Sequence, residues 1–106
     1  MKGTEKQIAW AQKIKSKYTS DIFAAKQLLH IAIEKSTDGS ENNMIFKETL
    51  SKIEAIEAID DAAWWIDNGK MNHDNFKSYS PLYKLSNARV LADPKARLIA
   101  TIRAVK

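Results

Sequence analysis

Apolar residues recur at intervals of three and four along most of this chain, and the polar stretches between them carry helix-capping residues, so the pattern predicts an all-α fold. Thr4-Glu5-Lys6-Gln7 fits a capping box, in which the Thr4 hydroxyl accepts from the Gln7 backbone while the Gln7 side chain reaches back. It opens a helix near residues 4–18 with Ile8, Ala11, Ile14 and Tyr18 on one side. Ser20-Asp21 offers a second cap ahead of Ile22, Ala25, Leu28, Leu29, Ala32 and Ile33, one buried stripe over about 20–35. Tyr18-Thr19-Ser20 weakens a helix without forcing a break, so the spacing leaves a break and an uninterrupted helix both open. The polar run 36–43 reads as a loop, with Asn42 or Asn43 as the next cap.

A third helix is expected over about 44–68, closed by Gly69 in a left-handed cap. Its apolar residues Leu50, Ile53, Ile56 and Ile59 step by three, so its apolar stripe rotates and different ends face different neighbours. Residues 70–79 show no period and read as a connection. Ser80-Pro81 and Asp93-Pro94 each set a capping oxygen before a proline at the first helical position, which predicts helices near 81–92 and 94–105. A strand over 98–105 is the alternative for the last of these. The sum is a single domain over 1–106, a bundle of about five helices in which 70–106 is a basic C-terminal helical extension.

Composition narrows what such a bundle can do. A chain of 106 residues can withdraw roughly two-thirds of its unfolded surface from water, enough for one core but not for a core and a large enclosed chamber. Any site is then a face or a shallow groove. The absence of cysteine excludes disulfides, thiolate zinc sites and cysteine nucleophiles. The longest apolar run, Ala62-Ala63-Trp64-Trp65-Ile66, is far short of the ~20 residues a bilayer span needs, and no apolar leader follows Met1. A cytoplasmic protein without a membrane partner is expected.

Charge falls in three blocks: seven lysines against three acids in residues 1–35, two lysines against eight acids in 36–69, and eight basic residues against two acids in 70–106. Either the basic C-terminal third contacts phosphates or an acidic protein, or the acidic middle lies against its two basic neighbours within the fold.

Candidate chemistry is sparse. His30 and His73 stand in no catalytic pattern; His30 reads as a structural imidazole and His73-Asp74 as a loop dipeptide. Glu54, Glu57, Asp60 and Asp61 lack the Glu-x-x-His pairs of a helical di-metal site, so neither metal nor cofactor is expected and the protein reads as a non-enzyme. On the third helix Glu54, Glu57 and Asp61 lead along one side to Trp64, Trp65 and Asn68. Either tryptophan, if exposed, is a hot-spot candidate for a protein partner; the competing reading makes both core. Trp10 lies among Lys6, Gln12, Lys13 and Lys17, where an aromatic could stack a base between cations, although packing with Ile14 as a core flank is the favoured reading. A nucleic-acid surface would use Trp10 with Lys84, Arg89, Lys95, Arg97 and Arg103, the arginines gripping phosphates bidentately. A helix-turn-helix built from the last two helices is disfavoured because Asp93-Pro94 leaves almost no turn.

Gly3-Thr4-Glu5-Lys6-Gln7-Ile8-Ala9-Trp10-Ala11 with Ile14, and Asp61-Ala62-Ala63-Trp64-Trp65-Ile66-Asp67-Asn68, resemble the opening and closing signatures of small proteins carried by phages, plasmids and other mobile elements of Gram-positive bacteria. The resemblance spans roughly residues 3–69. In that family an arginine usually follows the Asn, whereas Gly69 stands here, so no role of that basic position carries over. What the resemblance implies is a genetic context in which small accessory binders inhibit or redirect a host system. The expected function is accordingly a non-enzymatic protein–protein binder, an inhibitor of a host defence such as a CRISPR effector. It would engage a host protein or ribonucleoprotein through Trp64, Trp65, Asp67 and Asn68 or through the basic tail; a small basic nucleic-acid binder is the alternative.

Overall fold

In the computed structural model, residues 1–69 and 80–106 are described, and they form five α-helices. These are α1 (Glu5–Lys35), α2 (Glu41–Glu57), α3 (Ala62–Gly69), α4 (Pro81–Arg89) and α5 (Pro94–Ala104). The fold is the expected all-α bundle, but within residues 1–69 its helices divide differently from the sequence pattern at three places.

The first is α1, which runs unbroken for 31 residues. Thr4 caps it as expected: its Oγ1 accepts from the Gln7 amide at 3.2 Å, and Gln7 Oε1 accepts from the Thr4 amide at 3.0 Å. No break occurs at 18–21 because the candidate cap oxygens are taken. Arg89 donates through one nitrogen to Ser20 Oγ and Asp21 Oδ1, both at 3.0 Å, while Thr19 Oγ1 donates to the Lys15 carbonyl within the helix at 2.8 Å. One stripe, Ala11, Ile14, Tyr18, Ile22, Ala25 and Leu29, is buried along this helix. At ~1.5 Å per residue α1 is about as long as the molecule's 46 Å greatest extent, so it is the spine on which the other helices pack.

The second is the start of α2. Ser40, not Asn42 or Asn43, caps it, its Oγ accepting from the Asn43 amide at 3.2 Å. Asn43 is buried and ties the turn to the end of α1, donating from Nδ2 to Ser36 Oγ at 2.9 Å. The helix returns antiparallel along the C-terminal half of α1, where Lys26 pairs with Glu57 at 3.0 Å. The half of α1 that it covers is neutral, with Lys26 and Lys35 against Asp21 and Glu34, so apart from the Lys26–Glu57 pair α2 does not neutralise the basic N-terminal block of α1.

The third is the break in the expected 44–68 helix. Residues near the N-terminus pass through it: the Lys2 amide donates to the Asp60 carbonyl and the Ala62 amide to the Lys2 carbonyl, each at 2.9 Å. The interruption frees the Ile59 carbonyl to accept from Trp65 Nε1 at 2.8 Å. Asp61 restarts the helix by accepting from the Ala63 amide at 3.1 Å. Gly3 sits here with φ 141°, and a Cβ on it would come within 2.9 Å of Ala62 Cβ, so only glycine fits.

The break turns α3 onto the N-terminal half of α1. Gly69 takes no left-handed cap; it ends α3 buried against Ile14, and a Cβ there would collide with the Ile14 Cγ2 methyl. Tyr18 donates its buried hydroxyl to the Gly69 carbonyl at 3.3 Å. Burial foremost, then the Asp21 charge and Tyr83, raises the Tyr18 pKa above the usual 10.0. An unfolded tyrosine ionises near pH 10 and the folded one only higher, so this contribution is intact below that pH and is lost as pH rises beyond it. The urea midpoint of the wild type is expected to fall from about pH 9 to about pH 11 more steeply than that of Tyr18→Phe, the lysines titrating alike in both. Parallel slopes would contradict the shift.

Ser80 and Asp93 cap α4 and α5 through the Tyr83 and Lys95 amides at 3.3 and 3.1 Å, with proline following each, as the spacing predicts. Residues 98–104 are helical, not strand. α4 stops at Arg89, earlier than expected, and Arg97 takes up the carbonyl this exposes, donating from Nε and a terminal nitrogen to Leu91 at 3.1 and 2.7 Å. The connection is therefore 90–93 and not the bare Asp93-Pro94 junction. The expected connection at 70–79, with His73 and Asp74, lies outside the described residues.

Candidate binding face

Three tryptophans were candidates for contact, and folding treats each differently. Trp65 is fully buried in the core, its nitrogen spent on Ile59, its ring edge-on to Trp64 at 5.1 Å between centroids with Lys15 Nζ 5.4 Å from its own. Trp64 is half-buried against the core, and Asn68 donates to the Trp64 carbonyl at 2.8 Å within α3. Only Asp67 of the expected Trp64, Trp65, Asp67 and Asn68 face is exposed. The run from Glu54 and Glu57 into these residues is also not one helical face, because the chain leaves the helix at Ala58.

Two of the C-terminal cations are engaged within the fold. Arg89 is held by Asp21 and Ser20, and Arg97 by the Leu91 carbonyl. Both line a shallow cleft of about 30 Å³ with Asp21 and Thr101, room for about two waters and no more. Lys84, Lys95 and Arg103 remain exposed, on two different helices. Arg97 opens α5 but is spent, so the longer turn does not supply a helix-turn-helix reading head with a free arginine.

Trp10 is not sealed into the core: it is 51% exposed. Lys6, Trp10, Lys13 and Lys17 follow at spacings of four, three and four, which at ~100° per residue confines them to an arc of about 60° on one flank of α1. The three lysines are exposed, and among the described residues none forms an ion pair. Lys17 Nζ lies 5.5 Å from the centroid of the Tyr18 ring, a cation–π contact that steadies it on the surface. Of the two acids in the first 21 residues, Glu5 points about 100° away from this arc and Asp21 is neutralised by Arg89. The result is an indole standing out of a cationic flank. The 4-3-4 spacing was present in the sequence; the side of α1 that neighbours leave bare was not.

The chain matches no protein-family model, no curated protein and no solved structure.

His30 is exposed and not a buried structural imidazole. Among the described residues no three His, Asp or Glu side chains gather as metal ligands, and no helix is long and apolar enough to cross a membrane.

Proposed function

We propose that this protein is a non-enzymatic binder that acts by engaging an anionic macromolecule through Lys6, Trp10, Lys13 and Lys17 of α1. The observation that supports this reading is the half-exposed Trp10 on one helical flank with three lysines that form no ion pair among the described residues. An exposed indole brings a large apolar surface with few rotors to freeze, and the lysines add attraction that reaches about a Debye length into solvent. In the mobile-element context that the resemblance implies, the target is a host component, a CRISPR ribonucleoprotein being one of suitable charge.

Charge reversal separates this face from the C-terminal alternative. Lys6, Lys13 and Lys17 changed together to Glu should abolish retention on immobilised heparin at low salt. The same net change at exposed Lys84, Lys95 and Arg103 should leave most of it. The opposite ranking, with both variants folded by circular dichroism, would move the contact to α4 and α5.

A further inference from the structure

On the contact face proposed above, we infer that the anionic partner is single-stranded nucleic acid, with the Trp10 indole stacked on one base and Lys6, Lys13 and Lys17 neutralising phosphates on either side.

The composition of the face argues against a protein partner. Protein interfaces place several well-packed apolar groups at their centre and deplete lysine there, whereas this flank offers one aromatic and three lysines. A lone indole cannot exclude water from a protein interface, but it needs no apolar neighbours to stack on a base, because every base presents a flat π-face. Duplex is disfavoured by the same ring: paired bases are already stacked on one another, and a ridge-borne indole finds no free face. The groups that read base edges are also missing from the flank. Gln7 is committed to its Thr4 cap, and Arg89 and Arg97 are bonded internally. Recognition would therefore be tolerant of sequence, with flexible ammonium groups acting as point charges. From Lys6 to Lys17 the flank is ~16 Å long, so it can engage only a few nucleotides of an unstacked strand.

The test uses the whole protein with a short labelled oligothymidylate, a hairpin duplex with the same number of phosphates, and polyglutamate as competitor. Single strand should bind more tightly than duplex, with a log–log salt slope near about −2 for three phosphates neutralised. Binding should quench the part of the fluorescence that Trp10→Phe removes, since Trp65 is sealed and Trp64 half-covered. Trp10→Ala should weaken the single strand about tenfold, and Trp10→Phe much less. Duplex bound as tightly as single strand, or Trp10→Ala without effect, overturns the stacking inference. Polyglutamate displacing the oligomer at equal charge concentration overturns nucleic acid as the partner while the cationic face stands. Failure of all three polyanions to bind at low salt sinks the face itself.

Discussion

Trp65→Ala is expected to lower the thermal midpoint by about 15 °C or more, and to leave a partly unfolded population at physiological temperature. Truncating a buried tryptophan costs about 3–5 kcal/mol, and here the loss extends beyond the ring. The Ile59 carbonyl, exposed as an acceptor only because the chain leaves the helix after α2, would lose its indole partner at a further ~1–3 kcal/mol if it stays dry. Against a total of ~5–15 kcal/mol for a domain of this kind, that is a large share. At ~4–8 °C per kcal/mol for small domains the shift is unmistakable in a melting curve. Trp65→Phe should fall between, keeping most of the ring and losing the hydrogen bond. Trp10→Ala, a surface change, should stay within about 0.5 kcal/mol of wild type. A Trp65→Ala protein as stable as Trp10→Ala would contradict the placement of the two indoles.

Gly69→Ala is expected to destabilise the protein by about 1–3 kcal/mol, although alanine is the better helix former by about 1 kcal/mol. The new methyl would occupy the space of the Ile14 side chain, so α3 must shift from α1 or Ile14 must leave its rotamer. A shift would also lengthen the Tyr18 to Gly69 hydrogen bond. The cost should be specific to that pair. In a double-mutant cycle with Ile14→Ala, which creates a cavity costing about 2–5 kcal/mol alone, the two losses should overlap by about 1 kcal/mol or more. Urea unfolding of the four proteins measures this. Additive losses, or a stabilising Gly69→Ala, would mean that α3 does not close onto α1 at this point.

These two residues also show where sequence pattern stops being informative. Helix starts at Thr4, Ser80 and Asp93 could be read directly, because a capping oxygen acts on amides two or three residues away and a proline tolerates only the first turn. The core stripe of α1 was equally legible, since its spacing needs no knowledge of what covers it. The glycine at 69 carried the letters of a terminator, yet its role comes from Ile14, fifty-five residues earlier in the chain.

Continuity at 18–21, which the local sequence leaves open, and interruption at 58–61, which it does not signal, both depend on distant partners. Arg89 and the Lys2 backbone, distant in sequence, take the hydrogen-bonding groups on which a local cap or an unbroken helix would depend. The binding face follows the same division. The order of Lys6, Trp10, Lys13 and Lys17 put them on one flank by helical geometry alone, since neighbours three and four apart share a side. Periodicity names the sides of a helix without saying which will be covered. That was settled when α2, α3 and α4 packed elsewhere on α1, burying Trp65 and leaving Trp10 in water.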